Sequence, residues 1–218
     1  MRNRILWLLV FFGLIASASA QSIFDRLTWN AGAGESIGRG AVAGYVGNSP
    51  FAVAGGGMNF TRMFGADAEY MYYDLGFRPS VQQGQYLHDQ TGHMQSISLD
   101  GVFNVPRHLR KFGAYGIFGI GFYDRTVTVP RNYLQAGTPY IPAYQWWDLT
   151  WQNNVFGTNL NAQYMSSNSK IAGGFNYGGG VTYPVHDRTK LYIEWRYHRA
   201  YQSDVQTIVM PVTVGLRW

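Results

Sequence analysis

Residues 191–198 read Leu-Tyr-Ile-Glu-Trp-Arg-Tyr-His, a stretch in which apolar and polar side chains alternate. Successive side chains of a β-strand point to opposite faces of the sheet, so this stretch predicts two chemically different faces. One face carries Leu191, Ile193, Trp195 and Tyr197, and the other carries Tyr192, Glu194, Arg196 and His198. A one-residue slip would turn Arg196 onto the apolar side, which in a bilayer costs about 2–4 kcal/mol. The stretch therefore predicts a strand of fixed register whose apolar face meets lipid.

Seven further segments have the same strand character. Together with the first they lie near residues 27–34, 51–61, 66–76, 93–105, 112–128, 171–185, 191–201 and 206–218. The last segment keeps its alternation up to Trp218, and every backbone group of such a strand needs a hydrogen-bond partner. A sheet closed on itself supplies those partners.

The connections between these segments alternate in length. Residues 62–65, 106–111 and 186–190 form short connections, whereas the intervening ones are mostly longer, and the longest spans residues 130–170. Short turns at one end and long loops at the other are typical of outer-membrane barrels, in which the short turns are periplasmic. The sequence thus predicts an all-β fold: a closed antiparallel up-and-down transmembrane β-barrel of eight strands.

The first 20 residues have the features of an export signal. Two arginines precede an apolar run from Ile5 to Ile15, and Ala18-Ser19-Ala20 is a small-residue cleavage pattern. The run is too short for a spanning helix, which needs about 20 apolar residues. We expect cleavage after Ala20, which leaves residues 21–218 as a single barrel domain.

Composition agrees with an exported membrane protein. Of the 218 residues, 13% are charged and 17% are aromatic, 27 are glycines, and none is a cysteine. The formal net charge of +5 includes the two arginines of the leader and is too small to predict a nucleic-acid partner. Disulfides cannot hold the fold together, and no histidine pattern has metal-ligand spacing. The sequence therefore indicates no cofactor and no metal.

The inward faces of the strands bring ionisable side chains into the lumen. Those expected there are Glu69, Asp100, Glu194, Arg196 and His198. An eight-stranded barrel is only wide enough for side chains to fill its interior, so these groups would form a hydrogen-bonded ionic plug. The alternative is a narrow path for ions or small solutes through the same residues.

A faint repeat joins three glycines, a turn and a strand with Glu before an aromatic residue. Residues 55–57 precede Glu69-Tyr70 in this way, and residues 178–180 precede Glu194-Trp195. Glycine lacks a Cβ, so these positions would let the sheet bend and would leave lumen space for Tyr115 or Arg196.

Taken with the leader and residues 212–218, these features resemble the small eight-stranded outer-membrane barrels of the OmpA/OmpX type. The resemblance covers nearly all of the mature chain and implies the outer membrane of a Gram-negative bacterium, with its lipids as partners. It also implies that the barrel-assembly machinery reads the terminal alternating pattern. In this sequence the positions of that pattern are Val212, Val214, Leu216 and Trp218.

The loop predicted at residues 130–170 is rich in aromatic side chains and poor in charge. Trp146, Trp147 and Trp151 could stack against a surface glycan or dock on another protein. Alternatively, these rings could lie in the lipid interface or cover the barrel mouth.

Two other classes of protein share parts of this pattern. Lipid A deacylases of the outer membrane use a His with a Ser two residues on, but His198 is followed by Arg199 and Ala200. We therefore expect no enzyme. A secreted lipocalin also has eight strands and a leader, but its polar face would have to meet water, and the polar face here carries few charges.

Overall fold

The computed structural model describes residues 25–44, 46–76, 91–105, 112–129, 166–201 and 206–218. These residues form eight strands, each antiparallel to its sequence neighbours, in a closed barrel. The strands are β1 (Leu27–Arg39), β2 (Asn48–Asn59), β3 (Phe64–Asp74), β4 (Thr91–Asn104), β5 (Gly113–Val129), β6 (Ser166–Pro184), β7 (Lys190–Ala200) and β8 (Thr207–Arg217). The predicted fold class is confirmed.

Several strands extend beyond their predicted ends. β1 continues to Arg39, β2 begins at Asn48, and β6 begins at Ser166, so the loop predicted at residues 130–170 gives up its last five positions to a strand. These extensions lie at the long-loop end, where an outward side chain no longer needs to be apolar, and the alternation used for prediction fades there. One turn of 3-10 helix, Gly40–Gly44, follows β1.

Backbone pairing fixes the tilt of the strands. A path of cross-strand partners that leaves β7 at Ala200 returns to β7 at Lys190, ten residues away. It passes through Gly174, Gly121, Ser98, Glu69, Gly55, Asn30 and Arg217. This stagger in a barrel of eight strands corresponds to a strand tilt of about 40° and a lumen that side chains can fill.

The short connections lie at the same end of the barrel as the first residue of β1 and the last residue of β8. In the turn after β2, the Phe60 amide donates to the Phe64 carbonyl, and after β6 the Val185 amide donates to the Thr189 carbonyl. Residues 106–111, the third predicted short connection, lie outside the described residues.

The outward face is apolar along the strands. Ile120 and Phe122 are 65% and 69% exposed, and the same outward row of β5 includes Phe118. On β7 the structure turns Ile193 and Trp195 outward and buries Glu194 between them. In the part of the chain that the structure describes, no helix is long and apolar enough to cross a membrane.

Closure joins the first strand to the last. The pairing of β1 with β8 runs from Asn30 opposite Arg217 to Arg39 opposite Ile208. Beyond it, Trp29 and Trp218 exchange two backbone hydrogen bonds of 2.8 and 2.9 Å. Pairing on both sides of β8 leaves it without a free edge, which is the condition for a sheet to sit in lipid.

Candidate functional site in the barrel lumen

One guanidinium contacts three carboxylates in the middle of the lumen. Arg196 on β7 forms ion pairs with Glu69 on β3, with Glu194 at 2.5 Å, and with Asp100 on β4 at 3.0 Å. All four residues are at most 3% exposed. Arg196 and Glu194 lie two positions apart on one strand, so the period of two places both inward. We call these four residues the central ion cluster.

Polar neighbours satisfy the remaining carboxylate oxygens of the central ion cluster. The Tyr115 hydroxyl donates to Glu194 at 2.6 Å, and the Asn30 amide donates to Glu69 at 2.7 Å. Asp100 accepts one bond each from Ser98 and Asn176. Hydrogen bonds to charged acceptors are stronger than neutral ones, and a buried charge needs them to offset its lost hydration.

A second ion pair lies toward the short-turn end. Arg217 on β8 pairs with Asp67 on β3 at 3.3 Å, and its guanidinium lies over the rings of Tyr115 and Tyr192 at 4.8 and 5.4 Å. Thr28 also donates to Asp67. Sequence reasoning missed this pair, although Asp67 has the same parity as Glu69 and could have been found by that signal.

His198 lies inward but outside the central ion cluster. Its Nδ1 is 2.9 Å from the Tyr123 hydroxyl, and no described residue is hydrogen-bonded to its Nε2. The two rings meet edge to face. Among the described residues, His198 has no direct ion pair or hydrogen bond to the four residues of the cluster, and its link to the cluster runs through Tyr123.

Apolar side chains fill the lumen on the long-loop side of the cluster. They are Val42, Val46, Phe51, Val53, Met71, Tyr73, Leu75, Met94, Tyr123, Ala172, Ala200 and Val209. Phe51 and Tyr73 stack with ring centroids 5.2 Å apart. Sequence reasoning did not predict this apolar layer, because its residues occupy inward positions that were assumed to be polar.

The apolar outer face, the closed eight-stranded barrel and the polar lumen together specify a class of membrane protein. The sequence profile of the family described as "Outer membrane protein beta-barrel domain" matches residues 6–217. The chain belongs to this family. A bacterial outer membrane is therefore its location, and the soluble lipocalin alternative is wrong, because the apolar face of this barrel points outward.

Solved structures agree on the fold of this outer-membrane barrel. Neisserial surface protein A is 11% identical, with a TM-score of 0.54, over 88% of this chain and 95% of that one. A major outer membrane protein from Thermus thermophilus is 10% identical, with a TM-score of 0.56, over 88% and 98% of the two chains. No curated protein matches the sequence significantly. At these identities the likeness concerns the fold alone.

Glycines give the lumen groups of this outer-membrane barrel their space. Gly178 lies opposite Arg196, and a Cβ there would overlap the backbone of β7 and approach the Arg196 stem. A Cβ at Gly180 would meet the Tyr115 hydroxyl at 2.5 Å. Gly55 lies opposite Glu69, and a Cβ at Gly55 would overlap the Glu69 side chain. The two glycine runs thus make room for members of the ion network and their partners.

In and next to the central ion cluster, the buried carboxylates outnumber the buried guanidiniums. Arg196 and Arg217 face Asp67, Glu69, Asp100 and Glu194. No group of three or more His, Cys, Asp or Glu among the described residues is arranged to hold a metal ion. The arrangement can tie β3, β4, β7 and β8 together across the lumen, because Arg196 and Arg217 each bond to side chains of other strands.

The remaining predicted residues lie at the ends and on the outside of the barrel. Val212, Val214 and Leu216 of β8 are exposed on the outer face, and Trp218 is 49% exposed beside Trp29. The leader and three tryptophans of the long loop, Trp146, Trp147 and Trp151, lie outside the described residues.

Proposed function

We propose that this outer-membrane barrel has a closed lumen and works through its surface rather than by passing solutes. The observation that carries this proposal is the position of Arg196, whose guanidinium reaches carboxylates on β3, β4 and β7. A side chain that joins these strands through the middle of the lumen occupies the space that a solute would need.

The apolar layer outside the central ion cluster supports the same proposal. An ion that entered from the long-loop end would have to pass Phe51, Met71 and Tyr73, each at most 5% exposed and packed in one cluster. Mostly apolar side chains would replace its hydration there, which is costly. A polar layer followed by an apolar layer favours a plug over a narrow pore.

Planar-bilayer recording with the purified protein tests the closed lumen. We expect no stable conductance at neutral pH, in a preparation whose folding is verified by a heat-dependent shift in gel mobility. A large porin in the same bilayer is the positive control. Stable, single-sized conductance steps from the folded protein would refute the closed lumen and would favour the narrow pore.

The geometry of His198 supports a non-enzymatic role. Its ring is fully surrounded in the lumen and its Nδ1 faces the Tyr123 hydroxyl, so it does not face the lipid where an acyl ester would lie. A nucleophile and its base must reach the substrate within hydrogen-bond distance. Release of fatty acid from lipid A by the purified barrel would contradict this part of the proposal.

We further propose that the connection between β5 and β6 recognises a surface glycan or protein. β5 pairs with β6 out to Val129 opposite Ser166, whereas β7 pairs with β6 only from Gly174. β4 follows β5 as far as Thr91 opposite Thr128, so β4, β5 and β6 together extend past β7 on the side of the aromatic connection. Long connections at this end of an outer-membrane barrel are extracellular.

Replacing Trp146, Trp147 and Trp151 with Ala tests recognition by this connection. We expect the variant to fold and to lose binding to immobilised cell-surface glycans or host matrix proteins that retain the wild type. A matched control replaces Gln145, Asn153 and Asn154 with Ala in the same connection. Equal binding by both variants and the wild type would remove the tryptophans from the proposal.

The outward row of β8 completes the proposed set of partners. We propose that Val212, Val214, Leu216 and Trp218 are read by the barrel-assembly machinery before the strand pairs. Their exposure on the outer face supports this role, because side chains that do not pack in the lumen are accessible to another protein. Trp218→Ala should reduce the fraction of protein assembled in cells while the purified chain still folds in detergent. Unchanged assembly would refute this role.

A further inference from the structure

A cavity of about 930 Å³ opens at the short-turn end of the barrel. Its wall includes Tyr115, which faces the lumen, and Ala114, the preceding residue of β5, which faces outward. The exposed side chains of Phe60 and Val105 add apolar surface. Since neighbouring positions of one strand point to opposite faces, the cavity straddles the rim of the sheet. It therefore borders both the barrel mouth and the lipid-facing surface.

Cationic side chains line this cavity. Arg26 precedes β1 and Arg62 lies in the turn after β2, and neither has an ion-pair partner among the described residues. Asp25, which also lines the cavity, pairs with Arg188 at 3.5 Å. Lys190, at the start of β7, adds a third cation to the wall. The cavity thus has an excess of positive charge beside apolar surface.

The depth of the cavity in the membrane follows from the exposed rings around it. Phe64, Phe103, Phe112 and Tyr183 form a belt at the short-turn ends of their strands, and Phe112 packs on Tyr183 with centroids 5.4 Å apart. Aromatic belts of outer-membrane barrels lie at the level of the lipid head groups. Because short turns are periplasmic, the cavity faces the inner leaflet of the outer membrane.

We propose that this cavity binds the head group of an acidic phospholipid of the inner leaflet. The phosphate lies between Arg26 and Arg62, and the acyl chains follow the apolar rim past Phe60 and Val105. A free anion would use the arginines but would leave the apolar wall without a partner, so the observations favour a lipid. The proposal depends on the placement in the outer membrane and not on whether the lumen is closed.

Lipid retention measured by native mass spectrometry tests the proposal. The folded protein is released from micelles containing equal amounts of phosphatidylglycerol and phosphatidylethanolamine, and the lipid that stays bound is counted. We expect the wild type to retain phosphatidylglycerol preferentially. R26Q/R62Q should lose about fivefold in that preference for each arginine removed. Folding of each variant is verified by its heat-dependent gel mobility.

The control variant R39Q/R199Q removes two cations at the opposite end of the barrel. Arg39 ends β1 and Arg199 lies near the end of β7, so the net charge changes equally while the cavity is untouched. An equal loss with this control, or equal retention of the two lipids by the wild type, would overturn the proposal. Displacement of the lipid by soluble glycerol phosphate at similar concentration would overturn it in favour of a free-anion site.

Discussion

Replacing Arg196 with Met would remove the cation of the central ion cluster and keep most of the side-chain volume. Glu69, Asp100 and Glu194 would remain at most 3% exposed, with no other guanidinium among their described ion pairs. Removing one partner of a buried ion pair costs about 3–5 kcal/mol. Because three carboxylates lose the same partner, we expect a decrease of at least about 4 kcal/mol in the free energy of unfolding at neutral pH.

Urea-induced unfolding in lipid vesicles, followed by tryptophan fluorescence, measures this difference. The loss should shrink as the pH falls from 7 to 4, because protons neutralise the repelling carboxylates of the variant. R196M/E69Q/E194Q is the matched control, since it removes the guanidinium together with two of the three charges. We expect it to recover at least half of the lost free energy.

Two outcomes would refute this reasoning. If Arg196→Met unfolds within about 1 kcal/mol of the wild type at neutral pH, the guanidinium does not neutralise the cluster. If the difference between the two proteins grows as the pH falls, carboxylate repulsion is not its cause. Where the single variant does not refold in vesicles, it is folded in detergent micelles, and the temperature of its gel-mobility shift replaces the unfolding free energy.

Two further predictions concern the barrel wall. Gly34→Ala should destabilise the barrel by about 1–3 kcal/mol, because a Cβ there would overlap the Val212 carbonyl, whereas Gly173→Ala, with open space around it, should leave the unfolding midpoint unchanged. Equal midpoints for both variants would contradict this. Ile120→Arg on the lipid face should cost about 2–4 kcal/mol, and Val185→Arg in a short turn almost nothing, as measured by unfolding in vesicles. A similar cost for both would place Ile120 outside the hydrocarbon.

The wall of the barrel was predictable because lipid imposes a simple rule on every strand. In β7 the alternation of Ile193 and Trp195 with Glu194 and Arg196 fixed the register without knowledge of any neighbour. Strand ends were less predictable. Pairing continues in β1 to Arg39, beyond the hydrocarbon, where the sequence no longer has to alternate.

The lumen was only partly predictable, since parity gives the direction of a side chain but not its height in the barrel. Glu69 and Arg196 meet because the stagger between strands brings them to the same level. That stagger is a property of the closed sheet and cannot be read from one strand. For the same reason His198, two residues beyond Arg196, meets Tyr123 in a different layer.

The ladder between β1 and β8 has a consequence for how this protein can fold. Asn30 opposes Arg217, so the contacts that close the barrel join residues far apart in the sequence. Contacts of such long sequence separation form slowly. Until they form, both strands have unpaired edges that could join other chains and aggregate. Since closure is slow and leaves strand edges exposed, efficient folding of this chain depends more on a factor that speeds closure, and on a chaperone that keeps unfolded chains apart, than on additional thermodynamic stability.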